Sequence, residues 1–261
     1  MSTSLDSHAV ISPKAQLGEN VSIGPFTIVE HDVIIGDGTR IASHALIANG
    51  TRLGKECVIH HGAVLGTIPQ DLKFHGEITT LEVGDHTIIR EYTTLNRGTH
   101  EKNKTTVGSH CFLMAYSHIA HDCSIGNHVI LANTVNMGGH VQIEENAVIG
   151  GIVAIHQYSH IGRHAMIGGG FRVTKDVPPY VLAGSEPLSF NGLNIIGMKR
   201  RNFNQKTIDI IEAAYKFIYS SSLNVSQALE KIQGELPITD EIKHIIEFIQ
   251  KSKRGIIGRR R

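Results

Sequence analysis

A repeat of six residues constrains the fold of this 261-residue chain more than any other feature. From Ile11 to Val173, 25 of the 28 residues at every sixth position are Ile, Leu, Val or Met. The residue two places earlier is Ala, Cys, Ser, Thr or Val in 24 of 28 cases, and the following residue is Gly in 12. Residues two apart in a strand share a face, and Gly permits a tight turn. Because such short strands cannot bury themselves alone, the period predicts stacked turns of a parallel β-helix.

The repeat is similar to that of the hexapeptide-repeat transferases, and this resemblance adds the handedness and the coil length. It implies a mainly β fold, a left-handed parallel β-helix in which three hexads complete one triangular coil. Left-handed crossovers depart from the usual rule for parallel strands, so the handedness comes from the resemblance alone. Residues 18 positions apart are then expected on neighbouring coils.

Interruptions of the repeat indicate how the chain is organised. Asp71, Glu77 and Glu101 break the register, which predicts excursions near 67–80 and 97–105. Loops that leave a rigid solenoid commonly carry binding function. The repeat stops at Pro178-Pro179, and apolar residues then recur at helical spacing. We therefore predict a β-helix over residues 1–189 and a C-terminal α-helical domain over 190–261.

Composition narrows the class of protein. The chain has 25 Lys and Arg against 24 Asp and Glu, which argues against a nucleic-acid partner. Neither a signal-peptide pattern nor a long apolar run is visible, so we expect a cytoplasmic protein with no transmembrane segment. Cys57, Cys111 and Cys123 fall in the small inward slot and form no CxxC pair, which predicts buried structural thiols. The terminal Arg259-Arg260-Arg261 is interpreted as a solvated tail.

The three-hexad coil collects polar side chains in columns. His121, Gly139 and Gln157 form one column; the next contains Asp122, His140 and Tyr158, and a third Ala120, Gly138 and His156. Groups capable of acid–base chemistry are thus expected within about three coils, or roughly 10–15 Å. The chain has 17 histidines, so solvated corner histidines are the alternative explanation of this spacing.

The residues around these columns resemble the UDP-N-acetylglucosamine acyltransferase family, whose members begin lipid A biosynthesis. The resemblance covers essentially the whole chain and rests on a combination of motifs: Gln70-Asp71-Leu72-Lys73, His118-Ile119-Ala120-His121-Asp122-Cys123, Gly138-Gly139-His140, Ala154-Ile155-His156-Gln157, Asp176-Val177-Pro178-Pro179-Tyr180-Val181, Asn194 and Lys199-Arg200-Arg201. It implies an acyltransferase that moves a (3R)-hydroxyacyl chain from acyl carrier protein to the glucosamine 3-hydroxyl of UDP-N-acetylglucosamine.

The resemblance also assigns catalytic roles to His121 and Gly139, and Asp122, which follows His121 directly, completes the predicted catalytic residues. His121 is the general base, a role that suits an imidazole with an ordinary pKa near 6.5. Asp122 orients the ring, and the backbone N–H of Gly139 stabilises the oxyanion. No covalent acyl-enzyme is required. The family implies no cofactor and no metal, since the acyl donor is carried on the phosphopantetheine of acyl carrier protein.

Further roles follow from the resemblance, position by position. The substrate-binding residues are Asp71, Lys73, His118, His140, His156, Gln157, Asn194 and Arg200. Lys199, Arg200 and Arg201 form a candidate patch for acidic acyl carrier protein. The family forms homotrimers with sites between subunits, which we expect here. The sequence departs from the family pattern at two places. Ile196 stands where relatives often have Glu, and the second excursion is shorter and more charged than the family's version.

Extra glycines suggest a lane for the acyl chain. Gly151, Gly169 and Gly170 lie outside the turn slot of the repeat, and Gly151 and Gly169 are one coil apart. We expect these side-chain-free positions to form an acyl groove. The sequence leaves open the acyl chain length and whether the acceptor is UDP-N-acetylglucosamine or its 3-amino analogue.

Three rival functions share the β-helix. A γ-type carbonic anhydrase would have two zinc-binding histidines five residues apart, and no two histidines here have that spacing. The N-acyltransferase of a later lipid A step carries a sizeable domain before its repeats, whereas the hexads here begin near Val10. A purely structural β-helix would show regular Thr ladders and no excursions.

Overall fold

The computed structural model describes residues 3–219 and 222–259. Short strands stack in parallel into three sheets, and each sheet of the β-helix takes every third strand. Ile119 pairs with Met137, and Met137 with Ile155, so one coil takes three hexads. The predicted fold class, a left-handed parallel β-helix of hexapeptide repeats followed by a helical C-terminal region, is confirmed.

Each sheet is a ladder of short strands, one from each successive coil. In spatial order, sheet 1 contains β1 (Ser4–Leu5), β4 (Ser22–Ile23), β7 (Arg40–Ile41), β10 (Val58–Ile59), β13 (Ile88–Ile89), β16 (Phe112–Leu113), β19 (Ile130–Leu131), β22 (Val148–Ile149), β25 (Met166–Ile167), β27 (Val181–Gly184), β28 (Ser189–Leu193) and β29 (Gly258–Arg259). Sheet 2 contains β2 (Val10–Ile11), β5 (Ile28–Val29), β8 (Leu46–Ile47), β11 (Val64–Thr67), β14 (Thr94–Asn96), β17 (His118–Ile119), β20 (Asn136–Met137), β23 (Ala154–Ile155) and β26 (Arg172–Val173). Sheet 3 contains β24 (His160–Ile161), β21 (Gln142–Ile143), β18 (Ser124–Ile125), β15 (Lys104–Val107), β12 (Thr80–Val83), β9 (Thr51–Leu53), β6 (Val33–Ile35) and β3 (Gln16–Leu17).

The chain turns at three corners of the prism, which we name by the sheets that they join. Corner 2/3 includes residues 120–123, 138–141 and 156–159; corner 3/1 includes 126–129, 144–147 and 162–165; corner 1/2 includes 132–135, 150–153 and 168–171. The third residue of each turn is left-handed, as at Asp122, His128 and Ile152, with φ of 59°, 58° and 61°. Such a backbone is uncommon for a non-glycine residue, and here hydrogen bonds to neighbouring coils hold it: the N–H groups of His128 and Ile152 donate to backbone carbonyls, and that of Asp122 donates to the Thr105 hydroxyl.

The interior of the prism is filled by the aliphatic and small positions of the repeat. Ile119, Leu131 and Ile149 are fully buried. All three cysteines are buried as well, which confirms the predicted structural thiols. Burial raises the pKa of Cys57 and Cys111, and that of Cys123 to about 12, so these thiols stay protonated at neutral pH.

Two coils are longer than the others. Val64 pairs with Thr94 and Thr94 pairs with His118, which makes these coils two hexads and one hexad longer than an ordinary coil. Because the excess is a whole number of hexads, the register of the repeat continues after each. The strand-free segments are residues 68–79 and 97–103, and both leave the prism between sheet 2 and sheet 3. Both excursions therefore lie at corner 2/3.

The two ends of the β-helix differ. At the C-terminal end β28 runs antiparallel to β27, and the last coils are covered by the helices α1 (Ile195–Arg200), α2 (Gln205–Tyr219), α3 (Val225–Glu235) and α4 (Asp240–Lys251). The Tyr215 hydroxyl anchors α2 by donating to the Pro179 carbonyl at 2.6 Å. At the N-terminal end β1, β2 and β3 are the outermost strands of their sheets.

The helical region contains no candidate membrane span: within the described ranges, no helix is both long and apolar enough to cross a bilayer. Arg260 and Arg261 of the predicted tail lie outside the described residues. The domain boundary at residue 190, between the β-helix and the C-terminal helical domain, stays a prediction.

Candidate active site

An imidazole–carboxylate pair lies at corner 2/3. His121 and Asp122 follow β17 directly, at the turn from sheet 2 to sheet 3. Nδ1 of His121 lies 2.8 Å from Oδ2 of Asp122. An ionised carboxylate only accepts hydrogen bonds, so Nδ1 carries the proton and Nε2 presents its lone pair. The nearest acidic group to Nε2 is Asp71 of the first excursion, whose Oδ2 is 4.0 Å away.

The carboxylate of Asp122 is fully buried, yet it is held ionised. Burial alone would raise the pKa of Asp122, but hydrogen bonds from His121 and Thr99 outweigh it and keep the pKa below its ordinary value. Thr99 donates its backbone N–H to Oδ1 at 3.0 Å and its hydroxyl to Oδ2 at 2.7 Å. The pair therefore has the arrangement of a general base and its orienting carboxylate.

Gly139 lies one coil above His121 and packs directly against its ring. A Cβ at this position would lie 2.5 Å from Cε1 and 2.6 Å from Nε2 of His121, so a side chain would displace the imidazole. At corner 3/1 some residues at the equivalent turn position donate this N–H to a side chain of the next coil, as Ser109 does to Asn127 Oδ1 at 2.8 Å. Among the described residues no group accepts a hydrogen bond from the Gly139 N–H. This donor is free to bind a developing negative charge beside the base.

Two further histidines surround the pair. The ring of His140 is perpendicular to that of His121, with centroids 5.2 Å apart, and stacks on Tyr158 at 4.4 Å. Nδ1 of His118 lies 2.7 Å from the Thr94 hydroxyl. Burial lowers the pKa of His118 and of His140. Both rings are therefore neutral at physiological pH and offer one donor and one acceptor each.

The remaining residues predicted for this corner lie on the same side. Asp71 reaches His121 from the first excursion and also accepts the Lys73 backbone N–H at 3.0 Å, while the Lys73 side chain is exposed. His156 and Gln157 are exposed one coil beyond Gly139. The structure thus brings together the site residues predicted near His121: Asp71, Lys73, His118, His121, Asp122, Gly139, His140, His156 and Gln157.

Asn194 and the basic run Lys199-Arg200-Arg201 lie elsewhere. The Asn194 side chain donates to the His164 carbonyl at 2.9 Å and accepts from the Gly197 N–H, which caps α1 at corner 3/1. Arg201 acts electrostatically on His128 and His164 of that same corner. Lys199 and Arg200 are exposed at the C-terminal end of α1, and Ile196 is exposed near its start. These residues therefore lie at a different corner of the prism from His121.

The three extra glycines lie at corner 1/2, across sheet 2 from His121. The backbone N–H of Gly170, a residue with φ of 81°, donates to the Gly151 carbonyl at 2.8 Å. Gly169 and Gly170 are exposed, and a Cβ on Gly169 would lie 3.1 Å from the Gly151 carbonyl oxygen. The structure places the glycines on stacked coils beside the exposed Ile152.

One cluster has the composition of a metal site. Ligand atoms of His121, Asp122 and His140 lie within 4.8 Å of one another. However, Oδ2 of Asp122 already accepts hydrogen bonds from His121 and Thr99, so the carboxylate serves the imidazole pair. The absence of a metal from the reaction stays a prediction.

Two residues beside Asp122, Thr99 and Lys102, carry no functional signal in the sequence. Thr99 occupies a small inward slot of the repeat, where the pattern indicates only a packing residue. Lys102 donates from Nζ to the Asp122 carbonyl at 2.9 Å, across the second excursion. The lengthened coil between Thr94 and His118 brings both residues beside Asp122. Sequence reasoning that assumes 18 residues in every coil does not predict this contact.

Comparison with known proteins identifies the family of the chain. Residues 176–257 match the family model described as Udp N-acetylglucosamine O-acyltransferase, domain 2, and residues 14–49 and 104–139 match that of the bacterial transferase hexapeptide. Proteins named acyl-[acyl-carrier-protein]–UDP-N-acetylglucosamine O-acyltransferase are similar over nearly the whole chain. The one from Sulfurihydrogenibium sp. is 50% identical, over 95% of this chain and 92% of its own, and the one from Thermodesulfovibrio yellowstonii is 46% identical, over 95% and 96%.

Solved structures lead to the same family. A UDP-N-acetylglucosamine acyltransferase from Bacteroides fragilis superposes with a TM-score of 0.95 at 46% identity, covering 97% of this chain and 99% of its own. A homologous structure from Acinetobacter baumannii gives 0.93 at 41% identity, with the same coverage. The resemblance found in the sequence is confirmed: the chain belongs to the UDP-N-acetylglucosamine O-acyltransferase family of hexapeptide-repeat transferases.

Proposed function

We propose that this protein transfers a (3R)-hydroxyacyl group from acyl carrier protein to the 3-hydroxyl of UDP-N-acetylglucosamine, the first step of lipid A biosynthesis. The observation that carries the proposal is the His121–Asp122 pair with an unbonded Gly139 N–H against the same ring, in a chain of this family. Both substrates are molecules of the cytoplasm, where the proposal locates the enzyme.

The pair supports a direct transfer in two steps. Nε2 of His121 takes the proton of the sugar hydroxyl as its oxygen attacks the thioester carbon. The carbonyl oxygen becomes an oxyanion, to which the Gly139 N–H donates. When the intermediate collapses, the C–S bond breaks and the pantetheine sulfur leaves with the proton held on Nε2.

No covalent acyl-enzyme and no cofactor enter this scheme. The acyl group arrives already activated on the phosphopantetheine of acyl carrier protein. The three cysteines are buried and have raised pKa values, which removes them as nucleophiles. We further propose that His118, His140, Asp71 and Lys73 contact the substrates around the reacting centre, while His156 and Gln157 lie near the acyl and nucleotide groups.

The distribution of residues over two corners supports a homotrimer. His121 lies at corner 2/3, whereas Asn194 and Arg200, proposed to bind the nucleotide phosphates, lie at corner 3/1. A neighbouring protomer that presents its corner 3/1 to corner 2/3 would complete the site. The first excursion also exposes Ile68, Leu72 and Ile78, the last two almost completely, and such apolar surface favours a protein partner. The exposed run Lys199-Arg200-Arg201 would then meet acidic acyl carrier protein at the mouth of the site.

For the acyl chain we propose the lane of Gly151, Gly169 and Gly170 at corner 1/2. These glycines lie on stacked coils at the opposite edge of sheet 2 from His121. An acyl chain that runs from His121 across sheet 2 would end at these glycines.

The test is a transfer assay with purified protein, a panel of hydroxyacyl carrier proteins of different chain lengths, and two acceptors. UDP-N-acetylglucosamine and its 3-amino analogue are compared, with His121→Ala as the inactive variant and His31→Ala as the matched control, because His31 is exposed in another part of the prism. We expect turnover by the wild type and by His31→Ala, and loss of turnover with an unchanged fold in His121→Ala. Full activity of His121→Ala would contradict the mechanism, and a monomeric mass by light scattering with activity retained would contradict the trimer.

A further inference from the structure

The second excursion turns inward onto the catalytic corner. The sequence predicts a surface loop at 97–105, yet Thr99 is 4% exposed and lies against Asp122. Two residues of this segment and one of β15 bind Asp122: Thr99 reaches the carboxylate, Lys102 donates to the Asp122 carbonyl, and the Thr105 hydroxyl of β15 accepts the Asp122 N–H at 2.8 Å. Every polar group of Asp122 is thus bonded to the segment, to Thr105 or to His121.

The two bonds from Thr99 fix the plane of the carboxylate. The N–H holds Oδ1 and the hydroxyl holds Oδ2, so the carboxylate cannot rotate without breaking one of them. Oδ2 is also the atom that accepts Nδ1–H of His121. The direction of the imidazole therefore depends on a carboxylate whose own direction is set by Thr99.

We propose that Thr99 is a positioning residue of the reaction, which holds the Asp122 carboxylate in the plane that directs Nε2 of His121 toward the acceptor hydroxyl. Its effect on turnover rests on the proposed function, whereas its effect on the imidazole does not.

The sign of the expected change in the protonation of His121 depends on the charged groups around the His121–Asp122 pair. Asp71 and Asp122 lie within 4.0 Å of the His121 ring. Glu101 and Lys102 lie near His140, and His118 and His140 interact with His121. None of these groups contacts the Thr99 hydroxyl more closely than Asp122 does. Removing the hydroxyl leaves more negative charge on Oδ2, which stabilises the imidazolium form of His121 relative to the neutral ring.

The test compares Thr99→Val, Thr99→Ser and the matched control Thr106→Val. Thr106 lies in β15, and its hydroxyl donates only to Ser124, at 3.3 Å. For Thr99→Val we expect kcat to fall about 10- to 100-fold with KM unchanged, which corresponds to one hydrogen bond to a charged group. The acid limb of kcat/KM should move to higher pH. Thr99→Ser and Thr106→Val should behave as the wild type.

A readout independent of turnover is the titration of the His121 ring by NMR, assigned by comparison with His121→Gln. Its midpoint should rise in Thr99→Val and stay constant in Thr99→Ser. An unmoved midpoint together with an unmoved acid limb, or equal losses in Thr106→Val, would leave Thr99 a merely structural residue and overturn the inference. If Thr99→Val does not fold, Thr99→Ala decides by the same two readouts. An inactive wild type would contradict the proposed function, while the NMR titration would still decide the role of Thr99.

Discussion

The contact between Gly139 and His121 gives a sharp prediction for Gly139→Ala. The new methyl carbon would lie 2.5 Å from Cε1 and 2.6 Å from Nε2 of His121. Ordinary contacts between such atoms are about 3.5 Å, so the ring has to retreat by about 1 Å. The ring is tied to Asp122 through Nδ1 at 2.8 Å, and this retreat stretches or breaks that bond.

We expect kcat to fall about 100-fold, the usual cost of a 1 Å misplacement of a catalytic group. The backbone N–H of residue 139 is retained, and Gly139 has no left-handed φ, so alanine fits the backbone. The lost hydrogen bond to a charged group should lower the unfolding free energy by about 1.5–3 kcal/mol, less than the total stability of a typical domain. The fold therefore survives while the base is displaced.

The assay is steady-state acyl transfer beside thermal unfolding, with Gly234→Ala as the control. Gly234 lies in α3, and a Cβ there meets no atom within 4 Å. This control should keep its kcat and gain about 0.5–1 kcal/mol of stability from the lower backbone entropy of its unfolded chain. A kcat of Gly139→Ala within about threefold of the wild type would refute the assignment of His121 as the base at this position.

Three further predictions concern other parts of the chain. Glu144 binds His160 at 3.0 Å and His244 of α4 at 2.7 Å, and although burial opposes ionisation these two partners hold the pKa of Glu144 well below its ordinary value. The stability gained from ionisation of Glu144 is therefore present above pH ~4.3 and is lost as the pH falls below that value. Glu144→Gln should lower the unfolding free energy by about 2 kcal/mol at pH 7 and should make chemical unfolding less dependent on acid pH. An unchanged pH profile of unfolding would contradict this. Gly169→Met should shift donor preference toward shorter acyl chains in a competition assay, because its side chain would enter the proposed lane, and an unshifted preference would remove that lane. Thiol reagents should leave native activity intact and label Cys123 only after unfolding, as measured by mass spectrometry; rapid labelling of the native protein would contradict its burial.

The sequence was sufficient for the frame of the site because that frame depends on periodicity. Positions 119, 137 and 155 pair as predicted, so His121 and Gly139 had to meet at one corner once the coil length was known. The burial of the cysteines followed from the same register.

Contacts across coils that are longer than 18 residues could not be predicted from the six-residue period. Thr99 and Asp122 are 23 residues apart, and their contact depends on how far the second excursion lengthens its coil. The Asn194 side chain caps α1 and donates to the His164 carbonyl, contacts that depend on tertiary packing, while its assignment to the nucleotide stays a prediction. The bridge from Glu144 to His244 joins residues 100 positions apart and has no local signature.

The unequal ends of the β-helix make the stack extensible in one direction. Among the residues that the structure describes, no strand pairs with the outer edges of β1, β2 and β3, and Leu5 and Val10 in these strands are exposed. New hexads fused ahead of Ser4 would add coils by pairing with these edges, since an unpaired strand edge is a template for another strand. An extension after β26 would instead have to displace the antiparallel strand and the helices, so engineered lengthening or immobilisation of the enzyme belongs at its amino terminus.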